Sequence, residues 1–192
     1  LLSDTLAGEN TRYTLEGYLY PATYDIYDDT TLEEIVEEMI AHMAQVVTPF
    51  LEDINASDLN VHETLTLASH IEREGVSDED RELISGVFHN RLAVNMPLQT
   101  DPSVSYALGE HRELTTYEDL EIDSPYNTYK YAGVGAGPIA SPSEAAIRAS
   151  VYPAETTYMY FLADIQTGEI YYSETYSQHL QYQEQYINNG ND

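Results

Sequence analysis

Two carboxylates stand one residue apart in Leu67-Ala-Ser-His-Ile-Glu-Arg-Glu-Gly75, where a helical pattern runs out. Thr64, Leu67 and Ile71 define an inward stripe, and Glu74 borders it. Glu72 borders the opposite edge, so the two side chains point roughly opposite ways. One is then free to face solvent while the other sits at the mouth of a cleft. A carboxyl in the last turn of a helix has two reasons to hold its proton: partial desolvation and the negative end of the helix dipole. A general acid working near neutral pH needs that property. Helix-end glutamates are also common as plain surface groups, and spacing alone leaves both meanings open.

Three polar turns accompany this helix. Met96-Pro-Leu-Gln-Thr-Asp-Pro102 reads as a connector into a helix, with Asp101 as the cap and Pro102 at its first position. Ser124-Pro-Tyr-Asn-Thr-Tyr129 reads as a turn whose asparagine amide can donate and accept. Gly133-Val-Gly-Ala-Gly137 lacks the Lys-Ser/Thr of a phosphate-binding loop and reads as a turn needing positive φ. Active-site groups often sit on such loops. The six histidines show no metal-ligand spacing, and two or three of them read as surface or half-buried helix residues. There is no Gly-x-Ser-x-Gly elbow and no cysteine, which removes thiolate nucleophiles and disulfides.

These groups need scaffolding. Thr31-Leu-Glu-Glu34 is a capping box, and the apolar period behind it predicts a helix from about Leu32 to Val47. Further helices are expected over 61–73, from Ser77 through Leu92, from Asp101 to Gly109, and after Ser141-Pro142-Ser143-Glu144 with Ser141 as cap. Residues 158–163 and 169–172 read as a hairpin, and 177–187 as a closing helix. The class is α+β: a helix-rich domain over 15–188 with a small antiparallel sheet, a frayed leading segment over 1–14 and a tail over 189–192.

Composition narrows the partners. The chain has 192 residues, enough for one domain with a real core. Thirty-four acids against seven bases leave a net charge of −27, which repels nucleic-acid backbones and anionic lipid heads. Eighteen tyrosines argue against disorder. No apolar run is long enough to span a bilayer, so the chain is expected to be soluble, as a fragment of an anchored or secreted parent could be.

Taken in order, these stretches resemble the endolytic peptidoglycan transglycosylase family, the YceG-like proteins. The resemblance is carried by Leu15-Glu-Gly-Tyr-Leu-Tyr-Pro21, the segment ending at Glu74, Val87-Phe-His-Asn-Arg-Leu92, Leu98-Gln-Thr-Asp-Pro102, Tyr126-Asn-Thr-Tyr129, Gly137-Pro-Ile-Ala-Ser-Pro142 and residues 158–164. It implies that Glu74 is the catalytic acid and base, and that Gln99, Thr100, Asp101 and Asn127 line the cleft and hold sugar. Related sequences tend to carry a small hydroxyl residue where Gly75 stands here. The resemblance also implies an anchored parent working on the outer face of a bacterial cell membrane, peptidoglycan strands as substrate, and cell-wall synthases as possible partners. No metal or other cofactor is implied.

A lytic transglycosylase needs one carboxylate rather than the usual glycosidase pair, because its substrate supplies the nucleophile. Two other functions remain open on the residues: a muramidase using water with Asp101 as second carboxylate, and a glycan-binding wall domain without turnover. An acidic protein of salt-adapted origin would explain the charge but not the ordered motifs.

Overall fold

The computed structural model describes residues 11–110, 112, 115–164 and 167–188. Within them the order is α1 (Leu32–Val47), α2 (Leu51–Ala56), α3 (Val61–Glu74), α4 (Asp78–Ala93), α5 (Asp101–Leu108), α6 (Glu144–Val151), β1 (Tyr160–Ala163), β2 (Ile170–Ser173) and α7 (Tyr176–Tyr182). The expected α+β class holds. Most of the expected leading segment, 1–10, and the tail, 189–192, lie outside the described residues.

Reciprocal capping boxes start three of the helices. Thr31 with Glu34, Asn60 with Glu63 and Ser77 with Asp80 each satisfy two backbone donors that the helix leaves open. Two expected caps move. Thr100, not Asp101, is the N-cap of α5, and Ser143, not Ser141, is the N-cap of α6. The second shift has a tertiary cause. Glu72 on α3 accepts hydrogen bonds from both the backbone N–H and the hydroxyl of Ser143, which pins the helix start there.

The helix α3 is not merely striped. Every residue from Thr64 to Ile71 is buried, so the helix runs through the centre rather than along one face. Its polar members survive burial by bonding nearby carbonyls: Thr64 Oγ1 donates to Asn60 O at 2.9 Å, Thr66 Oγ1 to His62 O at 2.7 Å, and Ser69 Oγ to Thr66 O at 2.7 Å. Around it, α4 and α6 supply Ile84, Phe88, Ala146 and Ile147 to one core with Leu65, Leu67 and Ile71. Burying each large aliphatic or aromatic side chain contributes about 1.5–3 kcal/mol.

The two strands pair antiparallel, Tyr160 with Ser173 through Ala163 with Ile170. Phe161 anchors this hairpin to α4 by an edge contact with Phe88, ring centroids 5.8 Å apart. Between α1 and α3, where no long apolar period is present, a 3-10 turn at Thr48–Phe50 leads into α2. The closing helix is shorter than expected: α7 passes into a π-helical turn over Gln183–Asn188.

Near the start of the fold, Gly17 adopts φ +79° and lies so close to Pro138 that an added Cβ would sit 2.3 Å from the proline Cβ. Only glycine fits both conditions. This is how the Leu15-Glu-Gly-Tyr motif packs on the Gly137-Pro-Ile-Ala loop.

Candidate active site

Four polar side chains near the end of α3 have divided tasks. Ser69 Oγ accepts the N–H of Ile139 at 3.0 Å, fastening the loop after Gly137. Glu72 fastens Ser143, as described, and lies 3.8 Å from Arg81. It therefore does not face solvent, as spacing alone allowed; it ties α3 to α6 and α4. His70, one helical turn before Glu74, is fully buried. Among the described residues Glu74 alone of these four makes no hydrogen bond or ion pair, and it is half-buried.

His70 organises the loops opposite. Its Nε2 faces the carbonyl of Val134 at 3.1 Å, and a carbonyl can only accept, so Nε2 carries the proton. Nδ1 then accepts from the Thr100 hydroxyl at 3.0 Å. Burial pushes the imidazole pKa down to about 4, keeping it neutral. Thr128 Oγ1 accepts the N–H of Thr100 at 3.0 Å and lies 2.8 Å from Ser103 Oγ, while Gln99 N–H donates to Thr128 O at 3.0 Å. The Gln-Thr-Asp and Tyr-Asn-Thr-Tyr loops are thus closed on each other and on α3.

The residues expected to hold sugar separate into two groups. Thr100 and Asn127 are buried, and their polar atoms are already engaged. Asn127 Nδ2 donates to Leu120 O and Ile122 O at 2.8 and 2.9 Å, and its Oδ1 accepts from Tyr129 N–H at 3.0 Å. Both face inward, bonded to neighbouring segments of the protein. Gln99 and Asp101 are exposed. Gln99 sits at φ +55°, a left-handed conformation rare outside glycine, held while Arg91 Nη1 donates to its Oε1 at 3.3 Å. Arg91 is itself buried and donates to the carbonyls of Leu98 and Met159 at 2.8 and 2.6 Å, clamping this loop to β1.

Asp101 lies beside Glu74. Its Oδ1 accepts from the Tyr129 hydroxyl at 2.5 Å. Burial first, and then the negative charge of Asp101, push the Glu74 carboxyl up to about 8, against a smaller opposing effect of Arg73. Tyr129 is in turn raised by its own burial, by its bond to Asp101 and by the nearness of Glu74. A neutral carboxyl, a phenol and a second carboxylate therefore share one mouth. Tyr129 and Arg91 are the members that residue-type reasoning passed over. Tyr129 was one tyrosine among eighteen, and Arg91 lay in a helix with no marked periodic role.

After α3, Gly75 is extended at φ −90° rather than left-handed. An added Cβ would lie 2.7 Å from Arg81 Cγ and 3.2 Å from Arg81 N and Cα. Glycine is there for space, allowing α4 to turn back closely against the Glu74 end of α3.

The YceG-like family matches residues 2–185. The chain is 43% identical over its 192 residues to the endolytic murein transglycosylase of Bacillus subtilis strain 168, of which it spans 53%. It is 44% identical to the endolytic murein transglycosylase of Streptococcus pneumoniae serotype 2 over 173 residues, which is 88% of this chain and 31% of that protein. A 2.6 Å crystal structure of a YceG-like protein from Listeria monocytogenes matches at a TM-score of 0.86 and 44% identity, over 91% of this chain and 57% of that one. The chain spans about half, or less, of the length of the curated relatives it matches. With one fold, closely similar sequences and a family match over nearly its whole length, the chain belongs to the YceG-like family.

Proposed function

We propose that this chain is the catalytic part of an endolytic peptidoglycan transglycosylase, with Glu74 as its single acid and base. The observation that carries this is one carboxyl, raised to about 8, unbonded within the described residues and half-open beside Asp101 and Tyr129. Two curated relatives named endolytic murein transglycosylases support it.

In this scheme protonated Glu74 donates to the oxygen joining N-acetylmuramic acid to N-acetylglucosamine. The bond from the muramic C1 to that oxygen breaks, and the N-acetylglucosamine portion leaves as an alcohol. The resulting carboxylate takes the proton of the muramic C6 hydroxyl, whose oxygen bonds to C1. The products are a 1,6-anhydro end and a new free hydroxyl; no water enters, and Glu74 ends protonated as it began. Asp101, whose charge raises the Glu74 carboxyl, also faces the positive charge that develops on the sugar ring. Gln99 presents an amide to the sugar, and Tyr129 fixes the Asp101 carboxylate. Thr100 and Asn127 act from behind by holding these loops in place. Such a substrate puts the work outside the cytoplasmic membrane, on a parent anchored there and acting beside cell-wall synthases on nascent strands. Residues 15–188 form the catalytic unit.

Digestion of purified glycan strands followed by product mass analysis tests this. Anhydro ends from the wild type and none from Glu74→Gln are expected. Products one water heavier would instead mean hydrolysis, with Asp101 as a second carboxylate. Full activity in Glu74→Gln would remove the assignment.

A further inference from the structure

A cavity of about 400 Å³ is lined by Asp101, whose charge acts on Glu74, and by Arg73, the residue before it. Pro102 lines it too, Tyr13 and Tyr106 supply ring surface, and Arg12 and Arg112 complete its basic lining. Three of the seven basic residues of a chain with net charge −27 therefore meet at one hollow. Arg112 has carboxylates at hand, Glu110 at 2.6 Å and Asp119 at 3.6 Å. Arg12 and Arg73 form no ion pair among the described residues. Arg12 donates to Tyr106 O at 2.7 Å and lies over the Tyr13 and Tyr106 rings, each 5.8 Å from the ring centroid. That seat fixes its direction without neutralising its charge. Arg73 is exposed and immediately precedes Glu74.

We propose that this hollow is a subsite for the stem peptide of the muramoyl residue at the cleavage point, with Arg12 and Arg73 taking its carboxylates. The proposal rests on the glycan-cleaving function above and names what that function would select for. Four features fit a peptide. The cavity size is at the small end of ligand sites, about 300–1,000 Å³. Guanidinium groups pair planar carboxylates in a two-pronged geometry. Tyr13 and Tyr106 offer surface to aliphatic side chains. The acids Asp101 and Glu110 in the same lining leave room for the amine that a stem diamino acid carries, and they disfavour a phosphate dianion. The muramic lactyl group carries the stem on the same sugar whose C1 is attacked, so a peptide pocket must lie next to the acid, as this one does.

Binding is measured on the Glu74→Gln protein, which holds strands without cutting them. Short glycan strands are offered with stem peptides intact, with peptides removed, and with peptide carboxylates amidated. Intact strands should bind about tenfold tighter than either of the others. Adding Arg73→Gln, and separately Arg12→Gln, should close that gap to about twofold or less. Because Arg12 also braces Tyr106, its variant is checked by thermal melting, and Arg73→Gln carries the decision. Equal affinity for intact and stripped strands would overturn the proposal, as would an equal loss on both in Arg73→Gln. Displacement of intact strands by inorganic phosphate as readily as by free muramoyl peptide would overturn it too. Wild-type cleavage of both strand types without preference would end the peptide subsite and leave the glycan-cleaving function standing. Cleavage of neither would end both.

Discussion

Replacing Glu74 by Gln should stabilise the protein while removing its activity. In the unfolded chain this carboxyl loses its proton near 4.5; in the fold it keeps it up to about 8. Between those values the native state binds more protons than the unfolded state, so stability falls as pH rises through the window and levels off above it. At about 1.4 kcal/mol per tenfold change in proton affinity, the full difference corresponds to roughly 5 kcal/mol. The carboxyl is half-buried, and water at the mouth screens the charge, so about 2 kcal/mol is the expected penalty at alkaline pH. Glutamine fills the same volume and cannot ionise. Glu74→Gln and wild type should therefore melt together near pH 4 and diverge steadily above it. By pH 9 the variant should be ahead by about 4–8 °C, at about 2–4 °C per kcal/mol for a domain of this size. Scanning calorimetry from pH 4 to 9, beside product analysis on the same preparations, measures both effects. Parallel melting curves at every pH would show that the carboxyl is not desolvated, and the general-acid role would lose its physical basis.

Cleavage by the wild type should persist to about pH 8 and then fall, since the acid must be protonated. Asp101→Asn removes a charge that raises Glu74, so the alkaline limb of the pH–rate profile should move to lower pH; loss of activity at all pH would favour Asp101 as a second carboxylate. His70 is neutral in the fold down to about 4 but takes a proton near 6.5 when unfolded, so the stability it supports is present above 6.5 and is lost as pH falls toward 4. In urea titrations His70→Gln should cost about 1–3 kcal/mol at pH 7 through broken buried hydrogen bonds, and should flatten that acid limb. Gly75→Ser, which restores a hydroxyl at that position, should destabilise by about 1–3 kcal/mol because its Cβ meets Arg81; an unchanged urea midpoint would show that α4 gives way freely.

Much of the scaffold was legible in the chain because its signals are local. Thr31 with Glu34 and Ser77 with Asp80 are neighbours on the helix they start, and the first helix needs nothing distant to form between Leu32 and Val47. Glycine 109 ends α5 at φ +81° for the same reason. The position of Glu74 at the close of α3 is also a matter of spacing. The caps that moved, Asp101 to Thr100 and Ser141 to Ser143, are those where a competing hydroxyl stood within two residues. At Ser143 a carboxylate seventy-one positions earlier in the chain decided between them.

What the sequence alone determined is the supply: which helices form, and a glutamate placed at the end of one of them. Tertiary structure decided what each polar side chain does. Glu72 and Glu74 are the same residue type on one helical turn, yet one is held by Ser143 and the other is left to the cleft. Thr100 and Asn127 turn inward and Asp101 outward, although all belong to the same polar motifs. Desolvation and the field of a neighbouring charge depend on which segments meet in space, and no local pattern carries that. The proton that Glu74 keeps near pH 7 is a property of the assembled loops, with His70, Thr100 and Thr128 holding them shut against α3.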